Sequence, residues 1–296
     1  MRWVYMRQYE ISFKSVNSHL WPGKPTVMLV MEPDKIDKNT GVMLFNHGWG
    51  GNRFQYEDLM AFTIEKYNVI GLAVEFRQSG YDFDPMSGCG ACLPYDASFY
   101  QVFDVLLGLK EFLLLKSGIE RRRICHFGGS QGGHIALLSA IFAPDTFSFV
   151  YATSPAVMIT PEIANWAGRS FAPHELSIRN VLEHAVEIKC PLFLEHGGSD
   201  DLLPHYEHTL LLENKLKELK KKFSVKYYMN GDHGLLPDTT RLESFKKRAP
   251  RAFKIIKPTS FDDLTGGTVV KINCGGKTLV SDWAQTSAYD KFMQWL

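Results

Sequence analysis

Two short runs, Val42–Phe45 and Val69–Val74, carry no polar side chain at any position. A strand with one wet face alternates apolar and polar residues, whereas a strand covered on both faces need not. Such runs belong at the middle of a sheet with helices on both sides. Comparable β-branched or aromatic stretches recur at 9–15, 26–31, 41–46, 69–76, 123–127, 148–153, 191–195 and 224–229, and from residue 41 onward most are separated by helix-length segments. The expected helices are 54–66, 97–117, 131–142, 177–187, 205–222 and 286–296. In the second of these, Val102, Val105, Leu106, Leu109 and Leu113 repeat at three- and four-residue steps and form one core-facing stripe. Strands alternating with helices give an α/β fold with a mostly parallel central sheet.

With 296 residues, 45% of them hydrophobic and 22% charged, the chain can bury one large core. A single domain over 1–296 is therefore expected. About 36 residues separate the strand ending near Ser154 from the one starting at Pro191. They include Trp166 and Phe171 and leave room for a short cap over 155–188 or for an ordinary crossover with an extended loop. The stretch from about 249 to 284 breaks the alternation: Thr268–Asn273, Gly275-Gly276 and Lys277–Ser281 read as strand, turn and strand, a hairpin insertion before the last helix. Its exposed edge would suit pairing with a second copy, giving a homo-oligomer.

Lys and Arg number 33 against 32 Asp and Glu, for a net charge of +1. No global field recruits nucleic acid or an anionic membrane, and a small or neutral substrate fits better. The basic runs Arg121-Arg122-Arg123 and Lys220-Lys221-Lys222 sit at the edges of periodic segments and read as solvated element ends. The N-terminus lacks the apolar core of a signal peptide, and no stretch approaches the roughly 18 apolar residues of a membrane span. Five cysteines are too few and too scattered for a disulfide framework. Cytoplasm is the expected compartment.

The chemistry concentrates at Gly128-Gly129-Ser130-Gln131-Gly132-Gly133. The pattern G-x-S-x-G recurs by chance, but here the strand-like RICHF precedes it and the apolar helix QGGHIALLSAIF follows. A nucleophile elbow needs that setting, because its serine occupies a strained turn and projects above the sheet edge. A serine hydroxyl also needs a base, and the base an orienting carboxylate. After the strand PLFLEH comes Gly197-Gly198-Ser199-Asp200-Asp201, where Asp200 is the candidate acid, preferred over Asp201; the alternative is that both aspartates cap the helix that begins near Pro204. After KYYM comes Asn230-Gly231-Asp232-His233-Gly234, which offers His233 as base. The order serine, acid, histidine is the one this strand–turn–helix setting uses. His47-Gly48-Trp49-Gly50-Gly51 follows an early strand, so the backbone amides of Trp49 and Gln131 are the candidate oxyanion donors.

Together, H-G-x-G-G after a strand, G-G-S-Q-G-G at the elbow, H-G-x-x-D and a late histidine loop resemble the prolyl-oligopeptidase-like and acetyl xylan esterase or cephalosporin deacetylase branches of the α/β hydrolases, over roughly residues 25–235. The resemblance implies an α/β-hydrolase fold and a Ser-Asp-His serine hydrolase. The deacetylase branch has an Arg-Gly-Gln motif where this chain reads Phe76-Arg77-Gln78-Ser79-Gly80, and it follows its catalytic histidine with glutamate where this chain has Gly234. The prolyl-oligopeptidase branch carries a large N-terminal propeller, for which the roughly 40 residues ahead of His47 are too few. A compact esterase acting on a small-molecule ester, without metal or organic cofactor, is the expectation. The alternatives are a peptidase or amidase using the same triad on a short peptide, and a non-catalytic scaffold. Cys89 and Cys92 have metal-pair spacing but no matching second pair, and read as a loop near the site mouth.

Overall fold

A computed structural model of the chain describes residues 7–16, 26–80, 94–285 and 292–296, and the backbone of 83–84 and 89–90. Its strands are β1 Arg7–Phe13, β2 Thr26–Glu32, β3 Gly41–Asn46, β4 Val69–Glu75, β5 Phe83–Asp84, β6 Cys89–Gly90, β7 Ile124–Gly129, β8 Phe149–Thr153, β9 Leu192–Gly197, β10 Phe223–Tyr228, β11 Val269–Cys274, β12 Lys277–Asp282 and β13 Met293–Trp295. The helices are α1 Glu57–Tyr67, α2 Phe99–Leu115, α3 Gln131–Phe142, α4 Pro161–Trp166, α5 Pro173–Ile178, α6 Val181–His184, α7 Thr209–Glu218, α8 Arg241–Ala252 and α9 Asp263–Gly266. Every strand expected before residue 230 is present, with ends moved by two residues at most. Among the described residues no helix is long and apolar enough to cross a membrane.

Eight strands form one sheet in the order β1-β2-β4-β3-β7-β8-β9-β10. The β1–β2 and β2–β4 pairs are antiparallel and the remaining pairs parallel. The wholly apolar runs lie at the centre, and their residues divide between the faces as the pleat requires. Val42 and Leu44 of β3 join Ile70, Leu72 and Val74 of β4 in a core covered by α2, α3 and α7. Met43 and Phe45 face the other way, into a core covered by Leu59, Met60 and Ile64 of α1 and Phe245, Ala249 and Ala252 of α8. Helices thus cover both faces.

Helix α8 is absent from the sequence-based expectation. It is rich in charge, contains Pro250, and offers only a narrow stripe of Phe245, Ala249 and Ala252 to the sheet. The C-terminus also departs from expectation. The hairpin is present, turning at Gly275-Gly276 with φ of 52° and 85°, a left-handed pair that glycine adopts without strain. Residues 286–291 of the expected last helix lie outside the described residues, and Met293–Trp295 is a strand that adds antiparallel to β12. The outcome is a separate three-stranded sheet, tied to the main body where the Trp283 indole donates to the Phe142 carbonyl at 3.0 Å.

The pairing register brings the C-terminal ends of five strands level: Asn46 opposite Gly128, Gly129 opposite Thr153, Thr153 opposite Glu195, and Gly197 opposite Tyr228. Loops leaving this edge and the first residue of α3 carry every candidate residue, as open α/β sheets require of their sites.

Candidate active site

Between β7 and α3 a single residue turns the chain. Ser130 has φ 57° and ψ −125°, a conformation costly for a residue with a side chain and kept only where the surroundings enforce it. They do so here by close approach. A Cβ on Gly128 would lie 2.0 Å from the Gly132 carbonyl oxygen, and one on Gly132 2.2 Å from that of Asn46. The Ser130 N–H donates to the Thr153 carbonyl at 2.9 Å. Every residue of α3 is buried, while Ser130 itself keeps contact with solvent.

Just past β9, Asp200 is buried and accepts four hydrogen bonds. Its Oδ1 takes the N–H groups of Leu202 at 3.0 Å and Leu203 at 2.9 Å; its Oδ2 takes His233 Nδ1 at 2.8 Å and His196 Nε2 at 3.0 Å. It therefore caps the following turn and also partners the histidine, while Asp201 is exposed. Burial alone would raise the Asp200 carboxyl, but the hydrogen bonds from His196 and His233, joined by charge attraction to His233, hold it well below the usual carboxylate range.

His196 is a site residue that the sequence reading did not single out, although it is the histidine of H-G-x-x-D. Its Nε2 faces two acceptors, Asp200 Oδ2 and the Leu203 carbonyl at 2.8 Å, so it carries the proton. Its Nδ1 then accepts from the Thr209 hydroxyl at 2.6 Å. His233 is pinned from its backbone as well, since its carbonyl accepts from Arg241 Nη2 at 2.6 Å. With Nδ1 of His233 engaged by Asp200, Nε2 is the ring nitrogen left for proton transfer.

Opposite lies the loop after β3. His47 stacks on Phe76 with ring centroids 3.8 Å apart, and burial pushes its imidazole down to about 4, which keeps it neutral. The Gly48 N–H donates to Gln55 Oε1 at 3.0 Å. Trp49, Ser130 and Gln131 line one pocket of about 300 Å³, together with Ala156, Ile159, Ile163 and Trp166 of the expected cap and Leu202 and Leu203 of the acid loop. The walls are mainly apolar; Ser98 and His134 add polar groups. Arg77, of the motif compared with Arg-Gly-Gln, lies outside this lining and pairs with buried Asp104 at 2.5 Å. Cys92 lies outside the described residues, as does the Cys89 side chain. Among the described residues no cluster of His, Cys, Asp and Glu could hold a metal.

Known proteins resemble the chain at several levels. It is 25% identical over 189 residues to acyl-protein thioesterase 1 of Emericella nidulans, covering 62% of this chain and 72% of that protein. It is 29% identical over 135 residues to the uncharacterized peptidase YtmA of Bacillus subtilis, covering 42% and 52%. Among solved structures, the acylaminoacyl peptidase of Pyrococcus horikoshii superposes with a TM-score of 0.67 at 19% identity, over 86% of this chain and 42% of that one. A puromycin-hydrolyzing peptidase of Mycobacterium tuberculosis gives 0.65 at 15%, over 83% and 39%. The chain spans about four tenths of the length of these structures, and at such identity they share its fold. Residues 98–250, just over half of the chain and including Ser130, Asp200 and His233, match the model of the prolyl oligopeptidase family; the chain belongs to that family of serine hydrolases.

Proposed function

We propose that this protein cleaves a carboxylic ester of a small molecule through an acyl-enzyme, with Ser130 as nucleophile, His233 as general base and Asp200 as its orienting partner. His233 Nε2 takes the Ser130 hydroxyl proton as the oxygen attacks the carbonyl carbon. The Trp49 and Gln131 amides hold the oxyanion, and the protonated ring then returns its proton to the leaving alkoxide. Water, deprotonated by the same ring, releases the acid. No metal or organic cofactor is needed.

The observation that carries the reading is convergence: one apolar pocket is lined by Ser130, by both residues whose amides would bind the oxyanion, and by Leu202 and Leu203, whose N–H groups Asp200 holds. A pocket of about 300 Å³ suits an aliphatic or aromatic acyl group. The relative named as a thioesterase supports acyl transfer. The family and the relative named as a peptidase favour a second reading, a peptidase or amidase using the same groups. A non-catalytic scaffold would need none of them together.

The wider proposal is a single domain over 1–296, with 155–188 as a short cap, in the cytoplasm. It acts on small molecules or short peptides rather than nucleic acid or membrane, with homo-oligomers formed through the C-terminal sheet.

The test is intact mass after incubation with a fluorophosphonate, comparing wild type with a folded Ser130→Ala variant. One adduct on wild type and none on the variant is expected, and matched ester and anilide substrates then separate the two hydrolase readings. Folded wild type without an adduct would move the weight to the scaffold.

A further inference from the structure

Trp49 sits on the loop after β3 and Gln131 at the first position of α3, and two amides serve one oxyanion only if something fixes them relative to each other. Tyr95, fully buried and outside the pocket lining, touches both. Its ring stacks on the Trp49 indole with centroids 4.0 Å apart and planes at 27°. Its hydroxyl donates to Gln131 Oε1 at 2.9 Å.

The direction of that bond is forced. The Arg77 carbonyl can only accept, so Gln101 turns its Nε2 toward it at 2.9 Å and leaves Oε1 to accept. Gln101 Oε1 takes Gln131 Nε2 at 2.8 Å and the Ser98 N–H at 2.7 Å. Gln131 Oε1 is thereby left facing the tyrosine, whose hydroxyl must donate. Tyrosine supplies a donor and a stacking ring at one position; phenylalanine supplies only the ring.

Tyr95 is itself held. Its N–H donates to the Ala167 carbonyl at 2.8 Å, and the next residue's N–H to Gln78 Oε1 at 2.8 Å. Buried Arg179 donates to the carbonyls of Asp96 at 2.8 Å and Ala97 at 2.9 Å. This clamp holds Ala97 and Ser98 in the left-handed region, at φ 55° and 82°. Strain kept at two successive residues with side chains marks a loop whose shape is over-determined.

We infer that Tyr95 is a positioning residue that locks the Trp49 and Gln131 amides into one oxyanion site, a role resting on the oxyanion assignment above. Oxyanion donors must stand 2.7–3.1 Å from an oxygen that exists only in the tetrahedral state, and losing one costs roughly a hundred- to a thousandfold in rate. Loosening a donor costs less, and the loss falls on kcat rather than on KM.

The experiment measures the rate of fluorophosphonate adduct formation, kcat and KM for p-nitrophenyl butyrate, and inhibition by phenylboronic acid, whose serine adduct is tetrahedral, and by butyrate, which is planar. Wild type, Tyr95→Phe and Tyr95→Leu are compared. For Tyr95→Phe, adduct formation and kcat are expected to fall about tenfold and boronate affinity by a similar factor, with KM and butyrate inhibition unchanged. Tyr95→Leu, which also loses the stacking, is expected to fall further. A merely structural defect would move KM and butyrate inhibition as well. If Tyr95→Leu fails to fold, Gln131→Met removes the same bond together with the one to Gln101 and is expected to lose at least as much kcat as Tyr95→Phe, with the double variant no slower than Gln131→Met alone. Active wild type with Tyr95→Phe at the same adduct rate, kcat and boronate affinity overturns this inference alone. Folded wild type that forms no adduct and turns over no ester overturns the hydrolase reading, and this one with it.

Discussion

His233 Nδ1 lies 2.8 Å from Asp200 Oδ2, although the residues are 33 apart in sequence and leave the sheet from neighbouring strands. The same oxygen also receives His196 Nε2 at 3.0 Å, and the other carboxylate oxygen two backbone N–H groups. A carboxylate met by four donors stays ionised and cannot rotate, which fixes the tautomer and tilt of His233.

Asp200→Asn should therefore lower kcat by about 10⁴-fold. The amide presents a donor where the carboxylate offered acceptors, and His233 then meets it through an unprotonated Nδ1, leaving Nε2 protonated and useless as a base. Steady-state kinetics on a variant with unchanged circular dichroism would check this. Activity within tenfold of wild type would remove Asp200 from the triad.

At the elbow, Gly132→Ala should destabilise the fold by more than about 3 kcal/mol. The new methyl would sit 2.2 Å from the Asn46 carbonyl oxygen and 2.4 Å from that of His47, and backbone there cannot retreat without disturbing the loop that carries Trp49. Gly118→Ala is the control: nothing lies within 4 Å of its Cβ, so only the strain of φ 75° remains, about 1 kcal/mol. Urea unfolding should separate them clearly; equal losses would contradict the steric account.

Arg77 and Asp104 form a two-point pair, Nε to Oδ2 at 2.8 Å and Nη2 to Oδ1 at 2.5 Å, with both side chains buried. Asp104→Ala takes the carboxylate from a buried guanidinium and leaves it the neutral Val16 carbonyl at 2.7 Å, which should cost about 3–5 kcal/mol. Asp145→Ala, which breaks the exposed pair with Lys189, should cost less than about 1 kcal/mol. Equilibrium denaturation measures both, and a similar cost for the two would refute the argument from burial.

Trp166 lines the pocket and meets the Trp49 indole edge-on at 6.4 Å between centroids. Removing its ring should weaken ground-state binding of an apolar acyl group, so Trp166→Ala should raise KM about tenfold with kcat within about threefold. An unchanged KM for every active substrate would count against 155–188 as a substrate-binding cap.

Burial pushes His47, His134 and His208 down to about 4 and His126 to about 3. The unfolded chain takes up protons on these rings near pH 6.5 while the folded chain does not, so the unfolded state binds more protons between pH 6.5 and about 4. Stability should accordingly be full above pH 7 and fall steeply through that window. Thermal unfolding from pH 7.5 to 4.5 tests the sign: Tm should drop with acid, and a flat Tm would show that these rings stay accessible to protons.

Much of this molecule was legible in the chain because the relevant physics is local. A strand buried on both faces need not alternate apolar with polar residues, as at Val42–Phe45, and a turn as tight as the elbow admits only glycine at 128 and 132, so both leave their mark at the residue concerned. Chain order then pointed to Asp200 and His233, which the fold joins. His196 left a mark as well, inside H-G-x-x-D, but a histidine ending a strand looks the same whether it packs or donates.

What the tertiary structure decided depends on partners far away in sequence. Helix α8 is too charged, and its apolar stripe too narrow, to announce itself; the sheet face it covers supplies the reason it forms. Met293–Trp295, expected to be part of a helix, is a strand, its backbone paired antiparallel with the edge of β12. Tyr95, Gln101 and Arg179 are ordinary polar residues until a loop, two helices and the elbow close around them. Sequence alone determined the fold class and the residues proposed to bear the chemistry, because strand burial and turn sterics act within a few positions. Only the folded chain decided how those residues are held, because a hydrogen bond between distant segments exists only once the backbone has brought donor and acceptor within 3 Å.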